Sequence, residues 1–198
     1  GLRSGPLWLA LLACVTTTGG VLAAYSYIAP ILTDQAGVPA SFVPLVLTGF
    51  GVGSFIGAIL GGRFGDGHPG LITILTPAVT VAILAGISIA TGAPAVMVTL
   101  VVLLGLFGLS ANGVLIHLAV KHAGRAATLG SALAVAAFNT GTAIGTAIAG
   151  AALSTPLGVH GPATIGTVIV AFTLIPTITL ALIRRRAARL IRSRETKT

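Results

Sequence analysis

Long apolar runs alternate with short turn-like breaks along the whole chain. Six runs reach the length of about 20 mostly apolar residues that a helix needs to cross a bilayer. They cover residues 7–32, 42–64, 71–91, 95–118, 126–153 and 162–183. Gly and Pro punctuate nearly every break, as at Gly37-Val38-Pro39, Gly67-His68-Pro69-Gly70 and Gly92-Ala93-Pro94. Connections this short make consecutive helices antiparallel neighbours and leave no room for a soluble domain. The pattern predicts an all-α membrane protein: a six-transmembrane-helix bundle over residues 1–183, then a basic tail over 184–198.

Composition narrows the solvent. Only 7% of the 198 residues are charged and 55% are hydrophobic, with a mean hydropathy of +1.07. A soluble domain carries about 25% charged residues, so most of this surface must face lipid. The net charge of +8 could suggest a nucleic-acid partner. The distribution of the bases excludes it, because seven of the eleven Lys and Arg lie in the last fifteen residues. Arg3, Arg63, Lys121, Arg125 and the tail bases fall before the first span, after the second, after the fourth and after the sixth. The first, third and fifth breaks hold none. By the positive-inside rule this alternation supports six crossings and predicts that both termini are cytoplasmic, in a multi-pass protein of the cell membrane. The single cysteine, Cys14, allows no internal disulfide, and no metal-ligand or cofactor-binding spacing is present. The chain opens at Gly1 almost at a membrane segment, without an initiator Met, and reads as a piece of a longer protein.

Candidate chemistry is sparse. No Asp, Glu, Lys or Arg lies in the middle of a span, whereas ion-coupled transporters generally keep an ionisable group there. The second span carries Gly49, Gly53, Gly57, Gly61 and Gly65 at four-residue spacing, and the fifth carries Gly141, Gly145 and then Ala149. Bare glycine faces let a neighbouring helix approach closely, either as static packing or as a sliding contact between moving halves. Thr16, Thr17 and Thr18 are expected to bond back to their own helix in at least two cases. Tyr25 and Tyr27 fit an interfacial aromatic belt or an interior role equally. Asn112 and Asn139 each need hydrogen-bond partners if buried, from a substrate or from a neighbouring helix. His117, one turn before Lys121, reads as an interfacial, solvated histidine. Ser110 lacks an activating base on a neighbouring helix, and no catalytic residue is assigned.

The segment Gly61-Gly62-Arg63-Phe64-Gly65-Asp66-Gly67 resembles the loop signature between the second and third helices of each half in the major facilitator superfamily. Asp66 stands at the acidic position, while Gly67 replaces the usual base and Pro69-Gly70 the usual Gly-Arg pair. Thr18-Gly19-Gly20 through Tyr25-Ser26-Tyr27-Ile28-Ala29-Pro30 resembles the seventh helix of sugar- and drug-efflux permeases of that superfamily. Ala137-Phe138-Asn139-Thr140-Gly141-Thr142-Ala143-Ile144-Gly145 resembles their eleventh. The likeness extends over the chain as the carboxy-terminal half of a twelve-helix protein, on the chloramphenicol-resistance and arabinose-efflux-like branch of drug:proton antiporters. It implies a non-enzymatic efflux transporter that exchanges a small amphipathic drug, chloramphenicol among them, for protons by alternating access. Its partners would be an amino-terminal six-helix half, the drug, protons and the bilayer. The resemblance further implies that Tyr25, Asn112, Phe138 and Asn139 line the substrate cavity, that Asp66 and Arg63 form a gating loop, and that the glycine faces of spans two and five meet the other half. The competing expectation is a non-transporting six-helix membrane protein, either an intramembrane enzyme or a scaffold.

Overall fold

The computed structural model describes residues 4–195, without the side chains of Arg125 and of the residues beyond Arg186; Arg3 and Lys197, two of the bases expected on the cytoplasmic side, lie outside the described residues. Helix accounts for nearly all of it, and there is no strand among the described residues. The first span is α1 (Gly5–Tyr25), continued after a turn by the single helical turn α2 (Ile28–Pro30) and a π-helical turn Ile31–Gln35. The second is α3 (Val43–Gly67) and the third α4 (Pro69–Ile89). The fourth is divided into α5 (Pro94–Gly108) and α6 (Asn112–Ala123). The fifth is α7 (Ala127–Leu153) and the sixth α8 (Gly161–Glu195). All six are long and apolar enough to cross a membrane.

Local sequence explains the starts and the breaks. Pro sits in the first turn of α1, α3, α4 and α5, where its missing N–H costs nothing and its φ is already helical. Pro30 cannot donate to a carbonyl one turn back, and its ring crowds that turn. The first span accordingly loosens at Ser26-Tyr27 and passes into the π turn. The fourth span was read as one run from 95 to 118; it is interrupted at Leu109-Ser110-Ala111. Gly105, Gly108, Ser110, Asn112 and Gly113 cluster there, and all are poorer helix formers than Leu, glycine most of all. The sixth span runs straight on through Arg184, Arg185 and Arg186 as one helix.

α1 is the most buried span and packs chiefly on α7 and α8, with α6 alongside. α3 packs on α5, and α4 on α8 and α5. The pairing is near-symmetric: span one lies on span five as span four lies on span two, and spans three and six meet each other. Two apolar cores are stacked along the bundle. One gathers Val21, Phe50, Leu84, Met97, Leu104 and Val170, the other Leu7, Cys14, Ile72, Leu115, Ala134 and Leu180. Between them runs a waist of buried Thr17, Thr18, Thr76, Thr80, Thr173 and Thr177. Large apolar side chains such as Leu45, Phe55, Phe172 and Ile175 stay exposed on the bundle, as a lipid-facing surface requires.

Candidate functional site

The glycine faces hold the bundle together from inside. A Cβ on Gly53 would lie 2.7 Å from the Val102 carbonyl oxygen, and one on Gly57 or Gly61 would strike the backbone of Leu106 or Ser110. At the two ends of this seam, Gly49 and Gly65 face the side chains of Val102 and Val114. The fifth span does the same against the first, with Gly141 on the backbone of Val15 and Gly145 on that of Gly19. The expectation that these faces meet another half is therefore corrected. They are occupied by spans four and one of this chain, because only backbone without a Cβ can come this close.

The cavity candidates separate into distinct settings. Tyr25 is half-buried and stacks on Phe50 with ring centroids 4.1 Å apart and planes 25° from parallel. It joins the first span to the second. Phe138 packs against the core that contains Leu115 and Ala134. Asn139, next to it, is exposed on α7 and is turned away from the glycine seam. Asn112 opens α6 just after the break in the fourth span, and its side-chain oxygen is buried without a hydrogen-bond partner among the described residues. Tyr25 and Phe138 pack against different apolar cores of the bundle. A large apolar groove of about 900 Å³ lies elsewhere, between α3 and α5, lined by Phe42, Leu45, Val52, Ile56, Val98 and Leu106 among others.

At the end where the bases collect, Asp66 borders a cavity of about 410 Å³ with Gly65, His117, Lys121 and Arg184. One acid thus shares a cavity with two bases and a histidine contributed by two other helices, α6 and α8. Arg63 is exposed nearly one turn earlier on α3. Helix ends α3, α4, α6 and the emerging α8 converge here.

Several polar contacts have weak signals in the sequence. Gln35, read only as part of a loop, is 3% exposed. Its side-chain amide nitrogen donates to the Ile87 and Ala90 carbonyls at 2.7 and 2.8 Å, its backbone carbonyl accepts from the Gly92 N–H at 3.0 Å, and its side-chain oxygen is buried with no partner among the described residues. His160 Nδ1 lies 2.9 Å from the Ser88 carbonyl. Tyr27 donates its hydroxyl to the Thr146 carbonyl at 3.2 Å, an interior bond. Together they clasp the end of the bundle opposite the bases. The threonine run also departs from expectation. Thr16 bonds back to Leu12 and accepts from Thr173 across helices at 2.8 Å. The Thr17 and Thr18 hydroxyls are buried with no partner among the described residues, because α1 is packed on several sides and these two point into the waist.

Fold and composition together define a multi-pass helical membrane protein. Among known proteins the chain is similar to a chloramphenicol resistance protein of Streptomyces lividans, 28% identical over 174 residues, which are 88% of this chain and 44% of that protein. It is also similar to an uncharacterized MFS-type transporter, YtbD, of Bacillus subtilis (strain 168), 26% identical over 175 residues, 85% of this chain and 44% of that protein. No protein-family model matches the chain. The chain spans less than half the length of these curated relatives. The resemblance to the drug-transporter branch of the major facilitator superfamily, seen first in the motifs around Asp66, Tyr25 and Asn139, is borne out by both.

Proposed function

We propose that this chain is the carboxy-terminal six-helix half of a secondary active efflux transporter, exporting a small amphipathic drug in exchange for protons. The carrying observation is the similarity along 88% of the chain to a chloramphenicol resistance protein of which it matches 44%. Six spans and nothing else fit one half of such a protein. In this reading the bundle sits in the cell membrane with its basic end in the cytoplasm, as the loop charges favour. The α3 and α7 faces opposite their glycine seams are the least buried parts of the bundle, and they suit contact with the second half and the cavity between. Asn139 and Phe138 on α7, Tyr25 on α1 and Asn112 at the break in span four would then offer aromatic and hydrogen-bonding groups from one side of that cavity. Broken spans with freed polar groups are where transporters of this architecture tend to hold substrate. The proton-carrying acid would lie in the other half, since no span here holds one at mid-depth. Asp66 would stabilise one state from the cytoplasmic end.

The test is drug transport by the full-length gene product in inside-out vesicles under an imposed pH gradient, with labelled chloramphenicol as first substrate. Accumulation that a protonophore abolishes is expected, as is its loss in Asn139→Ala. Absence of gradient-driven accumulation of chloramphenicol and of a panel of amphipathic drugs would refute the proposal. The 198-residue chain alone is expected to transport nothing.

A further inference from the structure

A second cavity opens at the basic end, on the outside of the bundle between the third and sixth spans. It measures about 520 Å³ and is lined by His68, Gly70, Leu71 and Ile74 on one side and by Ile178, Ala181, Leu182, Arg184 and Arg185 on the other. Leu71 and Leu182 are 59% and 52% exposed, so the groove faces outward. Its floor is a notch left by two small residues: a Cβ on Gly70 would just touch the Ala181 methyl, at 3.9 Å. Along α8 the lining changes from aliphatic at Ile178 to cationic at Arg185, a rise of about 10 Å at 1.5 Å per residue. Aliphatic side chains line the deep part and two adjacent guanidinium groups stand at the rim, with His68 opposite them.

This gradient matches the chemistry of one molecule class. We propose that the groove holds an anionic phospholipid of the adjoining leaflet, its phosphate on Arg184 and Arg185 and an acyl chain along Leu71, Ile74, Ile178 and Leu182. Guanidinium groups suit phosphate because their planar fork can donate two parallel hydrogen bonds, and basic pockets between spans on the positive side of a membrane protein bind acidic headgroups. A topology anchor would account for the arginines but not for the Gly70/Ala181 notch beneath them. A free phosphate would account for the arginines but not for the aliphatic wall. Arg184 also borders the cavity of Asp66 and Lys121, so a lipid here would adjoin the proposed gating cluster.

Native mass spectrometry of the full-length protein, titrated with phosphatidylglycerol or phosphatidylcholine of equal chain length, tests this. The wild type should retain phosphatidylglycerol preferentially. Arg184→Gln with Arg185→Gln should lower that retention on the order of 25-fold, at about fivefold for each base. Arg186→Gln, the next base on the helix and not part of the lining, should change it far less than either lining arginine does, because solvent screens a base that does not touch the headgroup. Ala181→Leu should weaken lipid retention while leaving every charge in place. Equal losses from Arg186→Gln and from the arginine pair would mean diffuse electrostatics and overturn the proposal. So would unchanged retention in the double variant, or in Ala181→Leu. Displacement of the lipid by millimolar inorganic phosphate would assign the rim to a free anion and overturn it as well. If the double variant does not give a monodisperse protein, Arg184→Lys with Arg185→Lys and Ala181→Leu carry the same decision.

Discussion

The seam between the second and fourth spans makes a prediction that separates backbone contact from side-chain contact. At Gly53 an added methyl would lie 2.7 Å from the Val102 carbonyl, whereas ordinary contact begins near 3.4 Å. The helices would have to part there by about 0.7 Å, the difference of those two distances. At Gly57 the approach to Leu106 is closer still. Overpacking of this kind costs about 1–3 kcal/mol, against which alanine's better helix propensity returns about 1 kcal/mol. Gly57→Ala should therefore destabilise the protein by up to about 2 kcal/mol net. What distinguishes the seam is the rescue. The atom opposing Gly57 is the Leu106 backbone oxygen, so Leu106→Ala should give no relief. The atom opposing Gly65 is a Val114 methyl, so Val114→Ala should restore Gly65→Ala, with a coupling energy of about 1 kcal/mol or more. Gly62→Ala, with nothing within 4 Å of its Cβ, is the control and should gain about 1 kcal/mol from helix propensity alone. Equilibrium unfolding of the full-length protein in mixed micelles measures the single variants and the two double variants. Rescue of Gly57→Ala by Leu106→Ala, or equal stability of Gly57→Ala and Gly62→Ala, would show that the backbones do not meet there.

Gln35→Glu replaces the amide that donates to Ile87 and Ala90 by a group that can only accept; a loss of about 1–3 kcal/mol, larger than for Gln35→Leu, is expected in the same unfolding assay. Thr173→Val removes the interhelical bond to Thr16 and should cost about 0.6 kcal/mol, the average for such bonds in membranes; a loss beyond about 2 kcal/mol would mean that the threonine waist acts as a connected network. Tyr27→Phe loses the bond to the Thr146 carbonyl and should lower stability by about 1 kcal/mol without changing drug affinity. Asp66→Asn is expected to slow transport more than it weakens substrate binding, measured as turnover in vesicles beside a binding titration; unchanged turnover would remove Asp66 from gating.

The six crossings were legible because lipid imposes a coarse rule. A span needs about 20 apolar residues, and the runs that satisfy it are separated by Gly, Pro and charge. The glycine spacing also announced close helix approach, but not the partner. In a bilayer every helix is apolar on all sides, so the face pattern that would orient a soluble helix is absent. Only the fold shows that Gly57 meets span four and Gly141 meets span one. Gln35 was hidden for a related reason. It sits among Thr33, Asp34 and Gly37 in what reads as a polar turn, and nothing local reveals that the end of α4 will present the Ile87 and Ala90 carbonyls to it. The break at Leu109–Ala111 had a local signal in Gly108, Ser110, Asn112 and Gly113. High apolar content on either side concealed it. The cavity roles of Asn139 and Phe138 came from resemblance, and the two neighbours differ in setting: Phe138 is half-buried against the core and Asn139 is exposed.

The two glycine seams bear directly on how such a half could move. At Gly53, Gly57 and Gly61 the nearest opposing atoms belong to backbone, which has no rotamer to change in response to a small shift. A displacement of α3 along α5 by a fraction of a turn would bring a Cβ against the opposing backbone. Only a step of four residues, about 6 Å, restores glycine to glycine's place. Continuous sliding within the half is therefore costly, and the same holds for α7 on α1 at Gly141 and Gly145. If the chain works by alternating access, as proposed, the seams make each of its two crossed pairs a rigid unit. The motion is then displaced to the surfaces that the seams leave free, the outward faces of α3 and α7. The glycines act by removing degrees of freedom inside the bundle. Alanine at Gly57 or Gly141 should accordingly lower transport in proportion to lost stability, and a transport defect at full stability would place the moving surface on the seam instead.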